Sequence, residues 1–221
     1  MQRSAILFDL DGTLVDTAAD LAWSLNQALT GFGRRQVEVQ EVRGMIGGGI
    51  ANLVALGLQA TGGSVVSAEL ERLTEECKTL YDEHVADRSK PFPGVIESLP
   101  DLAAKGWSMG VCTNKPEETS RRLLAALGIG KWLPVIVGGD TLEVRKPDPA
   151  MALAVMDRLS TGLANSVLVG DSETDVILAR NVGVPVILVD YGYTQEPVET
   201  LGGDAVISSF AELPDAFAAL P

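Results

Sequence analysis

The chain has 221 residues, of which 46% are hydrophobic and 21% are charged, so it is long enough for one large domain or for one domain with an insert. Its 30 acidic residues outnumber its 17 lysines and arginines and give a net charge of -13, which removes the electrostatic basis for binding a nucleic-acid backbone. With only one histidine and two cysteines, the composition excludes histidine-rich metal sites and disfavours Ser-His-Asp or Cys-His catalysis.

No targeting or membrane segment is apparent. The first apolar run, residues 5–8, is too short for a signal peptide, and no stretch approaches the ~18 apolar residues that span a bilayer. Cys77 and Cys112 lie in apolar surroundings without C-x-x-C spacing, which is typical of buried thiols in a reducing compartment. We therefore expect a cytoplasmic protein with no membrane partner.

Short apolar runs alternate with helical patterns along most of the chain. The runs predict strands at residues 5–10, 107–113, 134–137, 167–169 and 186–189. Helices are predicted at residues 95–105, 117–127, 148–159, 173–182 and 210–219. This alternation favours an α/β fold, a doubly wound and mostly parallel sheet with helices on both faces.

Residues 17–88 interrupt the alternation, because they contain no strand pattern and at least three helical ones. An apolar stripe runs along a first helix, at Leu21, Leu25, Ala28, Leu29 and Phe32. A second stripe spans residues 70–84, on which His84 is interpreted as a packed helix residue. We therefore predict a helical insert at 17–88, within a core domain made of residues 1–16 and 89–221.

The first strand ends in two carboxylates. Asp9 and Asp11 are two residues apart on an extended segment and face one side, whereas Leu10 points into the core. Gly12 permits a sharp turn directly after them. An Asp-Gly turn that ends the strand and has no function explains these residues about equally well. A calcium-binding EF-hand is excluded, because the sixth position of its loop requires glycine and that position is Leu14 here.

Polar residues also follow the later strands. Thr113 and Asn114 precede one helix, Lys146 is held between Arg145 and Pro147 ahead of another, and Asp171 and Asp175 flank the start of a third. Taken singly, these are helix caps or a surface lysine. Because the carboxyl ends of parallel strands meet at one edge of the sheet, together they predict a single crevice.

Three carboxylates in one crevice require a counter-charge. Two like charges ~4 Å apart repel by roughly 4 kcal/mol at an effective dielectric of about 20, so Asp9, Asp11 and Asp171 predict a bound cation. Oxygen ligands without histidine or cysteine favour Mg²⁺, which commonly bridges carboxylates and a phosphate. Lys146 and Thr113 then remain to hold phosphate oxygens.

These segments resemble the four motifs of the haloacid dehalogenase-like hydrolase superfamily, in order and over essentially the whole chain. The motifs are residues 9–13, residues 113–114, residues 146–147 and residues 170–175. The resemblance places that family's helical cap at 17–88. It implies an enzyme, a phosphatase that forms an aspartyl phosphate and acts on a small phosphorylated metabolite.

The resemblance also implies a role for each motif residue. Asp9 is the expected nucleophile and Asp11 the general acid and base, and Mg²⁺ is expected on Asp9, the main-chain carbonyl of Asp11, and Asp171. The phosphoryl group is expected on Thr113, Asn114 and Lys146. Supporting positions are Gly12, Ser172 and Asp175, the last orienting a metal-bound water or its neighbours.

Two further segments, residues 138–149 and 189–193, resemble the phosphoglycolate phosphatases of this superfamily, although Glu143 stands where proline is expected. 2-Phosphoglycolate is therefore the expected substrate. Arg43 and the loop Gly47, Gly48 and Gly49 are candidates for reading its carboxylate, against a surface arginine and a flexible connection as the alternatives.

Other readings stay open at this point. Sugar phosphates, nucleotides or pyrophosphate are alternative substrates of related sites. A receiver-type signalling module also uses an aspartate phospho-acceptor, but it lacks a helical insert after its first strand. A catalytically silent binding protein is disfavoured by the intact motifs. The oligomeric state is not readable from the sequence.

Overall fold

The computed structural model describes residues 5–220. Its strands are β1 (Ala5–Phe8), β2 (Val15–Asp16), β3 (Lys90–Pro91), β4 (Ser108–Cys112), β5 (Val135–Val137), β6 (Ser166–Gly170), β7 (Val186–Val189) and β8 (Ala205–Ile207). Its α-helices are α1 (Ala18–Gly31), α2 (Val39–Arg43), α3 (Ile50–Ala60), α4 (Ser67–Glu83), α5 (Val95–Ala104), α6 (Glu117–Ala126), α7 (Pro149–Leu159), α8 (Glu173–Val182) and α9 (Leu213–Ala219).

Six strands form one parallel sheet in the order β5-β4-β1-β6-β7-β8. The chain builds one side of β1 first and then crosses to the other, so the strand order reverses beside β1. Ligands of open α/β sheets bind outside the carboxyl ends of the strands at such a reversal. The predicted α/β fold with a mostly parallel sheet is confirmed.

The central strand β1 is buried on both faces. Leu7 belongs to a core shared with α7 and α8, which also contains Val155 and Leu168. On the opposite face, the ring of Phe8 lies 5.5 Å from that of Phe210. Double burial explains why β1 reads as a continuous apolar run rather than as an alternating one.

The described chain divides into two compact units, the sheet unit and a helical unit, Asp16–Lys90, that contains α1 to α4. In the helical unit, the buried carboxylate of Asp20 on α1 accepts hydrogen bonds from the N–H and the hydroxyl of Ser89, both at 2.7 Å. It also accepts from the N–H of Arg88, which anchors the end of the unit to its first helix. That this unit is a cap domain with boundaries at 17 and 88 stays a prediction.

Local differences from the predicted elements have simple causes. Strand β8 escaped prediction because Val206 is exposed and only Ile207 of its three residues is buried, so it lacks the continuous apolar run of a buried strand. His84 is not packed in a core: it ends α4, its side chain is 38% exposed, and its ring lies edge-on to Trp23. Cys77 and Cys112 are both buried, as expected. None of the helices described here is long and apolar enough to cross a bilayer.

Candidate active site

The strand register brings the predicted motif residues to one edge of the sheet. Phe8 is level with Val111 of β4 on one side and with Val169 of β6 on the other. The residues that follow these three positions therefore leave the sheet together, including Asp9, Thr113 and Asp171. The motif residues thus converge, as expected from the sequence, at the carboxyl ends of β1, β4 and β6.

Lys146 is the cation closest to the candidate nucleophile. Its Nζ lies 2.8 Å from Oδ1 of Asp9 and 2.8 Å from Oδ1 of Asp175, and its side chain is buried. The side chain of Asn114 fixes the main chain of Lys146, because Oδ1 accepts from the Lys146 N–H at 2.9 Å and Nδ2 donates to its carbonyl at 3.4 Å. Asn114, predicted to bind phosphate, therefore positions Lys146 through its side-chain amide.

Asp171 is held in one orientation from two sides. The hydroxyl of Thr13 donates to Oδ1 at 3.2 Å, and the N–H of Tyr193 donates to Oδ2 at 2.7 Å. Glycines permit this approach: a Cβ on Gly12 would lie 2.4 Å from Oδ2 of Asp171, and one on Gly192 would lie 2.2 Å from its Cβ. Gly12 also has a φ of 91°, so its lack of a side chain serves both the turn and the packing.

Asp175 serves mainly as an internal hydrogen-bond acceptor. Its Oδ2 accepts from the hydroxyl of Ser172 at 2.6 Å and from the N–H groups of Ser172 and Asp171 at 3.2 and 3.3 Å, while Oδ1 accepts from Lys146. This capping box at the start of α8 leaves Asp175 orienting its neighbours, one of the two roles considered for it.

The other phosphate-binding candidate, Thr113, is buried at the end of β4. Its hydroxyl accepts a hydrogen bond from the N–H of Lys115 at 3.2 Å, so the loop after β4 turns tightly around it.

The Lys146–Pro147 peptide bond is cis.

Burial and like charge act together on the carboxylates. Burial raises the pKa of Asp9 to about 6, although Lys146 opposes the shift and Asp175 adds to it. Burial likewise raises the pKa of Asp171 to about 8, with contributions from Asp9 and Asp175. For Lys146, burial alone would lower the pKa, but the carboxylates of Asp175 and Asp9 outweigh it and raise the pKa, so this lysine stays charged.

The donor set fits Mg²⁺. Carboxylate oxygens of Asp9, Asp171 and Asp175 all lie within 4.8 Å of one another, and no nitrogen or sulfur ligand accompanies them in the cluster. Because four hydrogen bonds already engage Asp175, Asp9 and Asp171 are the better ligands. One or two carboxylates that share the ion with a phosphate are the usual protein contribution to a Mg²⁺ site.

The sequence reasoning missed three groups that shape this site: the side chain of Lys115, the hydroxyl of Thr13 and the N–H of Tyr193. Lys115 Nζ lies 2.9 Å from Oδ1 of Asp11. The sequence did point to Lys115, because this residue directly follows Thr113 and Asn114. In addition, the carboxylate of Asp11 needs a positively charged partner. The donor at Tyr193 is a main-chain N–H, which nearly every residue type has, so the sequence could not predict this contact.

The predicted substrate-reading residues lie in the helical unit. Arg43, at the end of α2, pairs with Asp16, with Nη2 2.5 Å from Oδ2. Gly47 and Gly49 have φ values of 118° and 83°, a backbone conformation that favours glycine, and Gly49 caps the start of α3. Their predicted role in reading a carboxylate stays a prediction.

The raised pKa of Asp171 predicts how pH changes stability without metal. Between about pH 4 and pH 8, folded Asp171 holds a proton that the unfolded chain releases, so the free energy of unfolding falls as pH rises through this window. Asp171→Asn removes this titration. We expect the metal-free variant to be more stable than the wild type near pH 8 and to lose that advantage near pH 4, as measured by urea unfolding.

The matched control for this prediction is Asp157→Asn, on the exposed face of α7, which should leave the pH dependence of unfolding unchanged. An Asp171→Asn protein whose stability followed that of the wild type at every pH would contradict the raised pKa of Asp171.

Comparison with known proteins agrees with this geometry. The model of the haloacid dehalogenase-like hydrolase family matches residues 6–189. The phosphoglycolate phosphatase of Caulobacter vibrioides is 40% identical over 216 residues, which cover 98% of this chain and 91% of the relative. That of Rhodospirillum rubrum is 40% identical over 215 residues, covering 96% and 89%.

A solved structure gives the same result. The crystal structure of a predicted phosphoglycolate phosphatase from Haemophilus somnus superimposes with a TM-score of 0.91 at 30% identity and covers 97% of this chain and 98% of that one. The predicted resemblance is thereby confirmed. The chain is a hydrolase and belongs to the haloacid dehalogenase-like hydrolase family.

Proposed function

We propose that this protein is a Mg²⁺-dependent phosphatase that hydrolyses a phosphate monoester through an aspartyl phosphate on Asp9. The observation that carries the proposal is the pairing of Asp9 with Lys146 at 2.8 Å, beside the carboxylate of Asp171. This arrangement offers a nucleophile, a fixed cation and an oxygen-only metal site at one point. The relatives named above support the same class of reaction.

In the first half of the reaction, Asp9 attacks phosphorus, and the bond from phosphorus to the leaving oxygen breaks. Asp11 donates its proton to that oxygen as the bond breaks. Lys146 neutralises charge on the phosphoryl oxygens, and Thr113 with the main-chain N–H of Asn114 binds the same group.

In the second half, the carboxylate of Asp11 accepts a proton from water as that water attacks phosphorus, which frees Asp9 and releases phosphate. Asp9, the main-chain carbonyl of Asp11, and Asp171 would hold Mg²⁺, which would supply positive charge to the carboxylates and to the phosphoryl group. Asp175, Ser172 and Gly12 keep Lys146 and Asp171 in place.

We further propose that the substrate is 2-phosphoglycolate and the product glycolate. The support is the identity of about 40% with enzymes of that name over nearly the whole chain. The alternatives within the family are sugar phosphates, nucleotides and pyrophosphate. A receiver-type signalling role would instead keep the phosphate on the protein. A cytoplasmic location stays a prediction.

The helical unit is proposed to act as the cap, which excludes water during phosphoryl transfer and selects the leaving group. Arg43 and the loop of Gly47, Gly48 and Gly49 are the proposed carboxylate readers, the arginine through its guanidinium and the loop through its N–H groups. The pair of Arg43 with Asp16 would orient the guanidinium.

The substrate is tested by measuring phosphate release from 2-phosphoglycolate, pyrophosphate, hexose phosphates and nucleoside monophosphates, each with Mg²⁺ and with a chelator. We expect release that depends on Mg²⁺ and a kcat/KM for 2-phosphoglycolate at least about tenfold above the others. Equal rates on all esters would reject the named substrate, and release that ignores chelation would reject the metal site.

The cap proposal predicts a selective effect of Arg43→Met. The KM for 2-phosphoglycolate should rise about tenfold or more, whereas the KM for p-nitrophenyl phosphate should change by less than about threefold, because only the first ester carries a carboxylate. Arg72→Met, at an exposed arginine of the same unit, is the control. Equal changes for both esters would count against carboxylate recognition by Arg43.

A further inference from the structure

A second buried lysine lies in the site, and the reaction described above does not use it. Lys115 Nζ lies 2.9 Å from Oδ1 and 3.2 Å from Oδ2 of Asp11, and only 4% of the lysine side chain is exposed. Burying an ammonium group is costly unless it is paired. Its pairing with both oxygens of the proposed acid and base is therefore a specific feature of this site.

The main chain at Lys115 is held on both sides. Its N–H donates to the hydroxyl of Thr113 at 3.2 Å, and its carbonyl accepts from the N–H of Gly139 at 2.9 Å. A Cβ on Gly139 would lie 2.2 Å from the carbonyl oxygen of Asn114, and one on Gly138 would lie 2.7 Å from that of Lys115. The two glycines therefore let residues 138–139 pack directly against the loop that carries the lysine, which gives Lys115 a rigid base.

The two buried lysines contact different carboxylates. Lys146 pairs with Asp9 and Asp175, so the nucleophile already has its cation. Lys115 pairs with Asp11, whose proposed task is proton transfer rather than attack on phosphorus. Any role of Lys115 in the reaction therefore concerns proton transfer by Asp11.

We propose that Lys115 is a positioning residue that fixes the orientation of the Asp11 carboxylate for proton transfer to the leaving group and from the attacking water. The inference rests on the proposed phosphatase function. Contact with both oxygens restrains rotation of the carboxylate, so that the same oxygen faces the leaving group in each turnover. Lys115 keeps its own protons: Asp11 gives its proton to the leaving oxygen as the phosphorus–oxygen bond breaks, and takes one back from the attacking water.

Positioning of an acid has a distinct signature, because it matters only when the leaving group needs a proton. Glycolate and ethanol leave as strongly basic alkoxides, whereas p-nitrophenolate is stable without protonation. Loss of Lys115 should therefore slow leaving-group release from alkyl esters in the first turnover and spare that release from the aryl ester, whereas the later attack of water, for which Asp11 is the base, is common to all esters. The two alkyl esters should be affected alike, because Lys115 acts through Asp11, even though only 2-phosphoglycolate carries a carboxylate.

The test compares Lys115→Met with the wild type on 2-phosphoglycolate, ethyl phosphate and p-nitrophenyl phosphate at saturating Mg²⁺. We expect the first-turnover rate of leaving-group release from both alkyl esters to fall about 30-fold or more, within the range of a lost general acid. The ester concentration that half-saturates this step, and the first-turnover rate for the aryl ester, should change by less than about threefold. Lys105→Met, at an exposed lysine of the sheet unit, is the control and should match the wild type.

A double-mutant cycle with Asp11→Asn makes the test decisive. If Lys115 acts through Asp11, Asp11→Asn with Lys115→Met should turn over each ester as slowly as Asp11→Asn alone. The double variant also leaves no buried carboxylate without its partner at this position, so the comparison holds even if Lys115→Met alone fails to fold.

Three results would overturn the proposal. Equal losses of the first-turnover rate on all three esters, additive with Asp11→Asn, would assign Lys115 a structural role. A loss confined to 2-phosphoglycolate with a raised KM would mean that Lys115 binds the substrate carboxylate. A wild-type protein that hydrolyses none of the esters would reject the phosphatase function itself, and the role of Lys115 with it.

Discussion

Carboxylate oxygens of Asp9, Asp171 and Asp175 lie within 4.8 Å of one another, and the surrounding structure must offset the repulsion among them. At an effective dielectric of about 20, each close pair costs roughly 4 kcal/mol. Lys146 offsets part of this cost through two contacts of 2.8 Å. Burial raises the pKa values of Asp9 and Asp171, and the neighbouring carboxylates raise them further. A site of this kind favours the binding of a cation and of a phosphoryl group near that cation.

The scaffold makes this crowding possible. Parallel pairing of β1 with β4 and β6 brings three chain segments out of the sheet at one level, and the buried apolar strands fix the register. Small residues then allow the close approaches, since Gly12 and Gly192 pack against Asp171 and Gly170 packs against Asp175. The site carboxylates therefore pack directly against the main chain of these glycines, where a larger side chain would not fit.

The sequence predicted the sheet and the convergence of its motifs because both depend on local patterns. Continuous apolar runs, such as β1, are readable, and parallel strands place their ends at one edge by geometry. Strand β8 and the exposure of His84 escaped because each depends on tertiary packing. The residue type of Asp175 suggested a helix cap or a site residue, and its hydrogen bonds to Ser172 and Lys146 show how one carboxylate serves the loop and the lysine together.

The contacts that were missed were those between side chains from distant segments. Lys115 and Asp11 are 104 positions apart, and no spacing rule links them. The place of Asn114 after β4 predicted a phosphate ligand, but it gave no sign that the side-chain amide also binds the main chain of Lys146. Residue identity gave the chemistry available at the sheet edge, whereas the partner of each group required the fold.

The most direct measurement of the central claim is the location of phosphate on the protein during turnover. The wild type and Asp9→Asn would be quenched in acid while hydrolysing 2-phosphoglycolate with Mg²⁺, and the phosphorylated residue would be located by mass spectrometry. The account predicts phosphate on Asp9 in the wild type, and neither phosphate nor turnover above about 10⁻⁴ of the wild-type rate in the variant. Phosphate on another residue, or continued turnover by Asp9→Asn, would contradict it.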